Sequence, residues 1–162
     1  MSYFNDNHLQ GNAGASIYIG LIYNDAVVAA MSFGKSRYNS YQYELIRFCN
    51  LQGCSVVGGA SKLFKYSVNH LNADNIVSFC DLRWGTGNVY NVCGFKHLRD
   101  NGPSYIYTCN YRTLENRVKY QKHKLENVLS VFDKNLSEWE NMKNNKYDRY
   151  WDSGSSVYLW TR

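Results

Sequence analysis

The chain has 162 residues, 44% of them hydrophobic and 16% aromatic, which suits one domain with a sizeable core. Its net charge of +5 hints only mildly at an acidic partner, because many ordinary proteins reach that value. No run of 18 apolar residues occurs, and the start lacks the basic and apolar regions of a signal peptide, so we expect no membrane span and a cytoplasmic protein.

The first predicted elements are a short helix or loop ending near residues 5–8 and two strands. Ile17–Tyr23 and residues 27–34 are rich in apolar and aromatic residues, and Asn24-Asp25 between them is typical of a hairpin turn. A third strand at 43–49 alternates apolar and polar residues, as a half-buried strand requires. We expect these strands to pair antiparallel.

A glycine turn follows the third strand and leads into a helix and a fourth strand. After Gly58-Gly59, apolar residues recur on one side of a helix, and residues 75–80 form an apolar run of strand length. Such a strand-helix-strand unit implies a right-handed crossover between two parallel strands.

The start of that helix is a predicted anion site. Its first N–H groups have no intrahelical partner, and with the helix dipole they can hold an anion such as a pyrophosphate. The alternatives are that the glycine pair only makes a tight turn and that the side chain of Lys62 is merely solvated. The residues of this predicted site are Val57, Gly58, Gly59, Ala60, Ser61 and Lys62.

Beyond the fourth strand, the sequence predicts a loop, a short helix and a hairpin. The loop covers residues 81–87 and the helix residues 88–93. Residues 95–98 and 105–108 are expected to pair as a hairpin through the turn residues at 100–103.

The last third of the chain is predicted to be an addition to this core. Residues 113–132 show an apolar side typical of a helix, and Ser137-Glu138-Trp139-Glu140 is a capping box that opens another. Residues 147–151 and 157–160 are expected to form a second hairpin. The predicted division is a core at 1–109 and a C-terminal helical and hairpin extension at 110–162, packed on the core.

The cysteines are odd in number and include no C-x-x-C pair. Cys49, Cys80 and Cys93 lie in apolar settings, and Cys54 and Cys109 complete the set. We interpret them as reduced thiols, some of them in the core, and expect no metal site.

The order of elements resembles the GNAT acyltransferase fold. In that family an R/Q-x-x-G-x-G/A loop holds the pyrophosphate of acetyl-CoA, and a later Y-x-x-x-G-F motif carries a tyrosine that often protonates the departing thiolate. Residues 55–60 match the loop except that Ser55 replaces Arg or Gln, and residues 90–95 match the second motif in full. The resemblance implies a mixed α/β (α+β) fold with a mostly antiparallel sheet, a splayed parallel pair and flanking helices. It also implies acetyl-CoA or a related acyl-CoA as cofactor.

A further resemblance is to Mom-like phage proteins, which are GNAT relatives that modify adenine in DNA. It rests on five short segments in the same order, namely 7–11, 32–34, 44–47, 77–81 and 87–90. The chain from about residue 4 to 160 also resembles the C-terminal region of phage homing endonucleases, whose separate nuclease domain we do not find in this sequence. These resemblances imply DNA as a partner and the cytoplasm of a phage-infected cell as the location.

Three candidate catalytic residues follow from the motifs. His8 is a candidate general base, since an imidazole titrates near pH ~6.5, or a hydrogen-bonded structural group. Asp81 ends a parallel strand where open sheets bind ligands, and it would accept from an exocyclic amine, orient a base or cap the next helix. Tyr90 is the candidate general acid, or otherwise a core aromatic. Arg47 is either an ion-pair partner of Glu44 or a phosphate contact.

A basic stretch in the last third is the candidate nucleic-acid contact. Tyrosine and histidine side chains are interleaved with its cations, and planar rings stack on bases. The alternative is a solvated helix face. The cations are Arg112, Arg117, Lys119, Lys122 and Lys124, against Glu115 alone.

The sequence leaves two main hypotheses of different classes. One is an acyltransferase that uses an acyl-CoA donor to modify an amine, such as adenine in DNA, which would first be flipped out of a duplex. The other is a catalytically silent DNA-binding module whose affinity falls steeply with salt. A phage protein that blocks a host defence by protein contact is a third possibility.

Overall fold

The computed structural model describes residues 2–162, with side chains from residue 3 onward. The chain forms two compact units: a larger one with the residues up to Asn101 together with Ser155–Arg162, and a smaller one, Gly102–Gly154. This boundary differs from the division drawn after residue 109, because the last strand of the chain belongs to the sheet of the larger unit.

The larger unit contributes three helices and five strands before the chain enters the smaller unit, and the last strand, in the larger unit again, ends the described chain. None of the helices within residues 2–162 is long and apolar enough to cross a bilayer. In chain order the elements are α1 (Ser2–Asn7), β1 (Ile17–Tyr23), β2 (Ala26–Lys35), β3 (Tyr43–Asn50), α2 (Gly59–Leu71), β4 (Asn75–Asp81), α3 (Asn88–Val92), β5 (Lys96–Asn101), β6 (Tyr105–Thr108), the 3₁₀ helices Arg117–Tyr120 and Lys122–Asn127, α4 (Glu138–Asn144), β7 (Asp148–Trp151) and β8 (Ser155–Thr161).

The larger unit is built on one mixed sheet with the strand order β1-β2-β3-β4-β8-β5. Its neighbouring strands are antiparallel except for β3 and β4, which are parallel and are connected by α2. Residues 43–45 of β3 pair with residues 76–78 of β4, and the strands part beyond them. The predicted fold class, a mostly antiparallel mixed sheet with a splayed parallel pair and flanking helices, is confirmed.

The first hairpin forms where the turn residues predict it. Asn24 and Asp25 have φ angles of 47° and 60°, and positive φ at both central residues is the requirement of a tight hairpin turn. Both faces of β2 are covered, so its sequence is a continuous apolar run instead of an alternation. On one face Ala30 packs with Phe4 of α1, and on the other Met31 lies in the main core.

The helix α2 covers that main core as its apolar spacing predicts. Leu63, Phe64 and Val68 are buried against the sheet together with Ile76 of β4. The predicted burial of three cysteines is also confirmed. They are Cys49, Cys80 and Cys93.

Both hairpins predicted for the later part of the chain are wrong. β5 pairs with β8 and not with β6, and β7 pairs with β6 and not with β8. The turn residues predicted at 100–103 lie where the chain leaves the larger unit, and residues 152–155, between the strands of the second predicted hairpin, lie where it rejoins that unit. β8 lies between β4 and β5, where Val157 and Tyr158 are buried, and that burial outweighs the local signal for a reversal.

The helix predicted at 113–132 is wrong as well. The segment forms two short 3₁₀ helices separated by Gln121, whose backbone is extended with φ −61° and ψ 140°. Leu114 and Val118, which define the predicted apolar face, are 57% and 53% exposed, whereas Leu125 is buried. Because an α-helix of this length is stabilised mainly by burying one continuous face, the segment does not form a single long α-helix.

The smaller unit has an aromatic core that is also hydrogen-bonded. Tyr107 and Tyr120 are fully buried, and their hydroxyls donate to Glu138 at 2.8 Å and to Glu115 at 2.6 Å. The predicted capping box at Ser137 is confirmed and opens α4.

Candidate active site

A cavity of about 400 Å³ opens where β3 and β4 part. Its walls are the second half of β3, the end of β4, the loop that follows, the short helix α3 and the segment after α1. All three candidate catalytic residues, His8, Asp81 and Tyr90, line this cavity. The fold therefore brings together residues that are up to 82 positions apart in the sequence.

Two side chains take the hydrogen bonds that the parted strands no longer make to each other. Ser78 Oγ donates to the backbone oxygen of Leu45 at 2.7 Å, and the Tyr90 hydroxyl donates to the backbone oxygen of Phe79 at 3.1 Å. The two hydroxyl oxygens lie 3.2 Å apart. Because buried backbone carbonyls need donors, these side chains stabilise the splayed arrangement. A single polar residue in the apolar run of β4 was the sequence signal for Ser78, which we did not predict.

The ring of Tyr90 is held by other aromatic residues. It stacks on Tyr158 with 4.7 Å between ring centroids and meets Phe95 edge to face at 5.6 Å. Burial raises the pKa of the Tyr90 phenol, and the Ser78 hydroxyl, which can turn to donate to a phenolate, offsets part of that rise. The phenol therefore keeps its proton at neutral pH.

α3 can pass close to Tyr158 because residue 87 is a glycine. Gly87 has φ 78°, and a Cβ atom there would overlap the Tyr158 hydroxyl. This loop positions Tyr90 one turn later.

His8 is placed as a hydrogen-bond donor. Its Nδ1 accepts the backbone N–H of Gln10 at 3.1 Å, so the ring proton of the neutral imidazole lies on Nε2. Burial, with a smaller contribution from Arg47, lowers the pKa of His8, so the ring is neutral at neutral pH. In this tautomer His8 can donate from Nε2 but has no lone pair there to act as a base.

Asp81 is fully engaged in hydrogen bonds. Its carboxylate accepts from the Arg83 guanidinium, with a shortest distance of 2.6 Å, and from Gln10 Nε2 at 2.9 Å. The Arg83 hydrogen bond is the main reason that the pKa of Asp81 lies below its ordinary value. Asp81 also accepts the backbone N–H of Arg83 and so caps its own loop, whereas α3 begins later, at Asn88, and its N-cap Gly87 provides no side-chain cap. Asp81 is a weak base that orients its neighbours.

The alternative that Arg47 pairs with Glu44 is wrong. The Glu44 carboxylate binds Arg37 through both oxygens, at 2.9 and 3.1 Å. Arg47 instead donates to the backbone oxygens of Gly11 at 3.1 Å and Ile46 at 2.9 Å.

The glycine turn leaves amide hydrogens free at the start of α2. Gly59 N–H donates to Val56 O and Lys62 N–H to Gly58 O, each at 3.0 Å. The N–H groups of Ala60 and Ser61 meet no acceptor within residues 2–162. Gly58 has φ 70° and no atom within 4 Å of its Cβ position, so a ligand can approach the backbone there.

This turn lies apart from the cavity walls. Of Val57 to Lys62, the exposed members are Val57, Gly58 and Lys62, and none of the six lines the cavity. β3 connects the two places, since its residue Phe48 lines the cavity and the loop to α2 begins after Asn50.

The predicted nucleic-acid residues lie in the smaller unit and are not equivalent. Lys119 pairs with Glu115 at 2.6 Å, Lys124 donates to Val118 O at 3.0 Å, and the Arg117 guanidinium lies 4.7 Å from the Tyr105 ring centroid. Arg112 and Lys122 form no ion pair within the described residues.

Arg149 joins this group from outside the predicted stretch. Its guanidinium lies 4.2 Å from the ring centroid of Tyr105 and 4.4 Å from that of Trp139. The sequence did not reveal it because the pairing of β6 with β7 was not predicted.

Comparisons with known proteins add little about function. No protein-family model matches the chain, and no curated protein matches it. One similar solved structure is the crystal structure of a Bacillus subtilis acetyltransferase in complex with CoA. The two sequences are 10% identical and the TM-score is 0.48. The superposition covers 87% of this chain and 73% of the acetyltransferase chain. A likeness this weak does not bear on function, which is therefore argued from the site.

Proposed function

We propose that the protein is a GNAT-type acyltransferase that uses an acyl-CoA donor and acts on an amine of a nucleic acid. The proposal rests on one observation above all. A protonated tyrosine hydroxyl stands between parted parallel strands, and the strand that forms one wall leads to a helix with free N-terminal amides.

The start of α2 fits the anionic part of such a donor. The free N–H groups of Ala60 and Ser61, the open approach over Gly58 and the exposed charge of Lys62 favour a pyrophosphate. A bound acyl-CoA would supply a thioester carbonyl and a thiolate leaving group.

Tyr90 would stabilise the departing sulfur by hydrogen bonding. The proton that the acceptor nitrogen loses on forming the amide bond would pass to that sulfur as the carbon–sulfur bond breaks, which gives the free thiol. The pKa of Tyr90 is raised above the ordinary value, whereas a thiol titrates near ~8.5, so complete proton transfer from the phenol to a thiolate is uphill. To act, the hydroxyl has to turn from Phe79 O towards the cavity, while Ser78 keeps its own bond to Leu45 O.

His8 and Asp81 favour an acceptor that is already neutral at neutral pH. His8 offers a donor from Nε2, and Asp81 is ionised and bound to Arg83, so neither is a ready base. An alkyl ammonium group would need to lose a proton before it could attack the thioester, whereas the exocyclic amine of a nucleobase is already uncharged. This difference supports a nucleic-acid amine, and His8 would then donate to the developing oxyanion.

Calorimetry with acetyl-CoA tests the donor part. We expect saturable binding, weakened about tenfold in Lys62→Glu, a loss of ~1.4 kcal/mol. Lys65→Glu is the matched control, since Lys65 is another exposed lysine of α2 and lies beyond its first turn. Absence of heat at millimolar acetyl-CoA would remove the proposal.

A second candidate function is DNA binding without catalysis, and it is favoured by the surface of the smaller unit. Trp151 and Tyr150 are each 53% exposed, and Trp151 lies 4.9 Å from Tyr105, the ring on which Arg117 and Arg149 stack. Rings and cations together suit single-stranded nucleic acid.

A gel shift at two salt concentrations tests this candidate. Arg112→Ala with Lys122→Ala should weaken binding and flatten the salt dependence, because these cations are not in ion pairs within the described residues. Lys119→Ala, whose charge is already paired with Glu115, serves as the control. An unchanged shift in the double variant would exclude this stretch as the contact.

A further inference from the structure

Arg47 is a half-buried cation that forms no ion pair with a carboxylate in the described residues. Its Nε and Nη1 donate to the backbone oxygens of Gly11 and Ile46, and within residues 2–162 its Nη2 meets no acceptor. Burial lowers the pKa of Arg47 from its ordinary value, as expected when a charge lacks a close counter-charge.

The acidic residues near Arg47 are committed to other cations. Glu44, the residue three positions earlier on β3, is bound at both oxygens by Arg37. Asp81, which lines the same cavity as Arg47, is bound by Arg83 and Gln10. An arginine left over in this way is suited to a planar anionic group from a ligand.

Arg47 also joins two cavities. It lines the cavity between β3 and β4, and it lines a second cavity of about 640 Å³ beneath residues 13–16. Lys35, Arg37 and Glu44 line this second cavity as well, so it carries three cations against one carboxylate. The neighbouring wall at 13–16 is Ala-Gly-Ala-Ser, whose small side chains leave room for a ligand.

We propose that Arg47 binds an anionic oxygen group of the acceptor substrate, a phosphate or a carboxylate, which lies in the second cavity while the amine reaches towards Tyr90. That the ligand is the acceptor rests on the proposed function, whereas the anion site itself is defined by Arg47 alone. The proposed site for the donor pyrophosphate is a separate place, because none of the residues Val57 to Lys62 lines either cavity.

Matched ligands test the site directly. Binding of 2′-deoxyadenosine 5′-monophosphate is compared with that of 2′-deoxyadenosine, and binding of 4-aminobenzoate with that of aniline, so that the phosphate and carboxylate sources are separated. We expect at least one anionic member to bind about tenfold more tightly than its neutral partner, ~1.4 kcal/mol. Equal affinities within both pairs would overturn the inference.

Variants assign any preference to Arg47. In Arg47→Met the preference for the anionic ligand should disappear, so that both members of a pair bind about equally. Arg47→Lys should keep part of the preference because the charge remains. Lys96→Met removes the same charge from the exposed strand β5 and lines neither cavity, so it should keep the full preference. A preference that persists in Arg47→Met would contradict the assignment.

A measurement on the unchanged protein covers the case in which Arg47→Met fails to fold. Titration of ¹⁵N-labelled protein with inorganic phosphate should shift the Nε–H resonance of Arg47, and chloride at equal ionic strength should not. An unshifted resonance would overturn the inference.

Acetyl-CoA affinity separates this inference from the proposed function. If the protein ignores acetyl-CoA but prefers the anionic ligands through Arg47, the acyltransferase proposal fails and the anion site stands. If acetyl-CoA binds and Arg47→Met weakens it as much as it weakens the anionic ligands, Arg47 serves the donor and the inference is wrong.

Discussion

The two units use the hydroxyls of their core tyrosines in different ways. In the larger unit the Tyr90 hydroxyl donates to a backbone carbonyl beside an open cavity. In the smaller unit the hydroxyls of Tyr107 and Tyr120 donate to carboxylates. A hydrogen bond to a carboxylate is roughly twice as strong as one between neutral groups, so the second arrangement holds a scaffold and the first leaves a proton available for a ligand.

The pKa values show that burial alone does not mark a site. Burial is the largest cause of the raised pKa at Tyr90, Tyr107 and Tyr120 alike. What distinguishes Tyr90 is its partner and the cavity beside it. The partner of a buried hydroxyl is thus a better guide to function than the direction of its pKa.

Substitution of Gly87 should disrupt the packing that holds Tyr90 and cause the greatest loss of stability. Gly87→Ala should destabilise the protein by about 3 kcal/mol, because the new Cβ overlaps the Tyr158 hydroxyl and φ 78° is unfavourable for alanine. Urea unfolding gives the change in the free energy of unfolding. Gly102→Ala is the control, since no atom lies within 4 Å of its Cβ position. Equal small effects would show that the close approach at Gly87 is absent in solution.

The next effect sharpens the contrast between the two kinds of tyrosine. Tyr120→Phe removes a bond to the Glu115 carboxylate and should cost about 2 kcal/mol, whereas Tyr90→Phe removes a bond between neutral groups and should cost about 1 kcal/mol. Acyl transfer, measured by release of free thiol, should fall roughly tenfold or more in Tyr90→Phe and stay unchanged in Tyr120→Phe. Loss of activity in Tyr120→Phe but not in Tyr90→Phe would place the chemistry in the smaller unit and contradict the role proposed for Tyr90.

The smallest expected effect concerns pH. The pKa of His8 is lowered in the folded protein, so the unfolded chain takes up the proton first as pH falls below ~6.5, and stability is lost from there down to the folded pKa. His8→Gln should remove this part of the pH dependence, as measured by melting temperature across that range. His123→Gln changes an exposed histidine of the smaller unit and should leave the dependence intact. An unaltered profile in His8→Gln would mean that His8 is not held neutral by burial.

Signals that act within a few residues were sufficient for most of the local structure. The glycine pair at 58–59 with the apolar spacing of α2, the Asn24-Asp25 turn and the capping box at Ser137 each formed as predicted. For the turn and the capping box the stabilising contact lies within a turn of the signal, so the sequence contains both partners side by side. The apolar spacing of α2 predicts a helix by its period, although its contacts are with the distant strands of the sheet.

The candidate site was only partly visible in the sequence. His8, Asp81 and Tyr90 do share a cavity, but their roles depend on partners that no motif names. Gln10 decides the tautomer of His8, and Arg83 decides the basicity of Asp81. A hydrogen-bond partner is chosen by distance in the folded chain, which the order of residues does not state.

The strand-helix-strand unit could be predicted from the sequence alone, and so could the lack of intrahelical partners for the first amides of α2, because helix geometry gives those groups no acceptor within the helix. Three features depend on the folded arrangement: β8 lies between β4 and β5, Ser78 and Tyr90 donate to backbone oxygens where β3 and β4 part, and Arg47 has no carboxylate partner in the described chain. The reason is that turn and periodicity signals reach about four residues, whereas strand partners and counter-charges are selected by burial between distant segments.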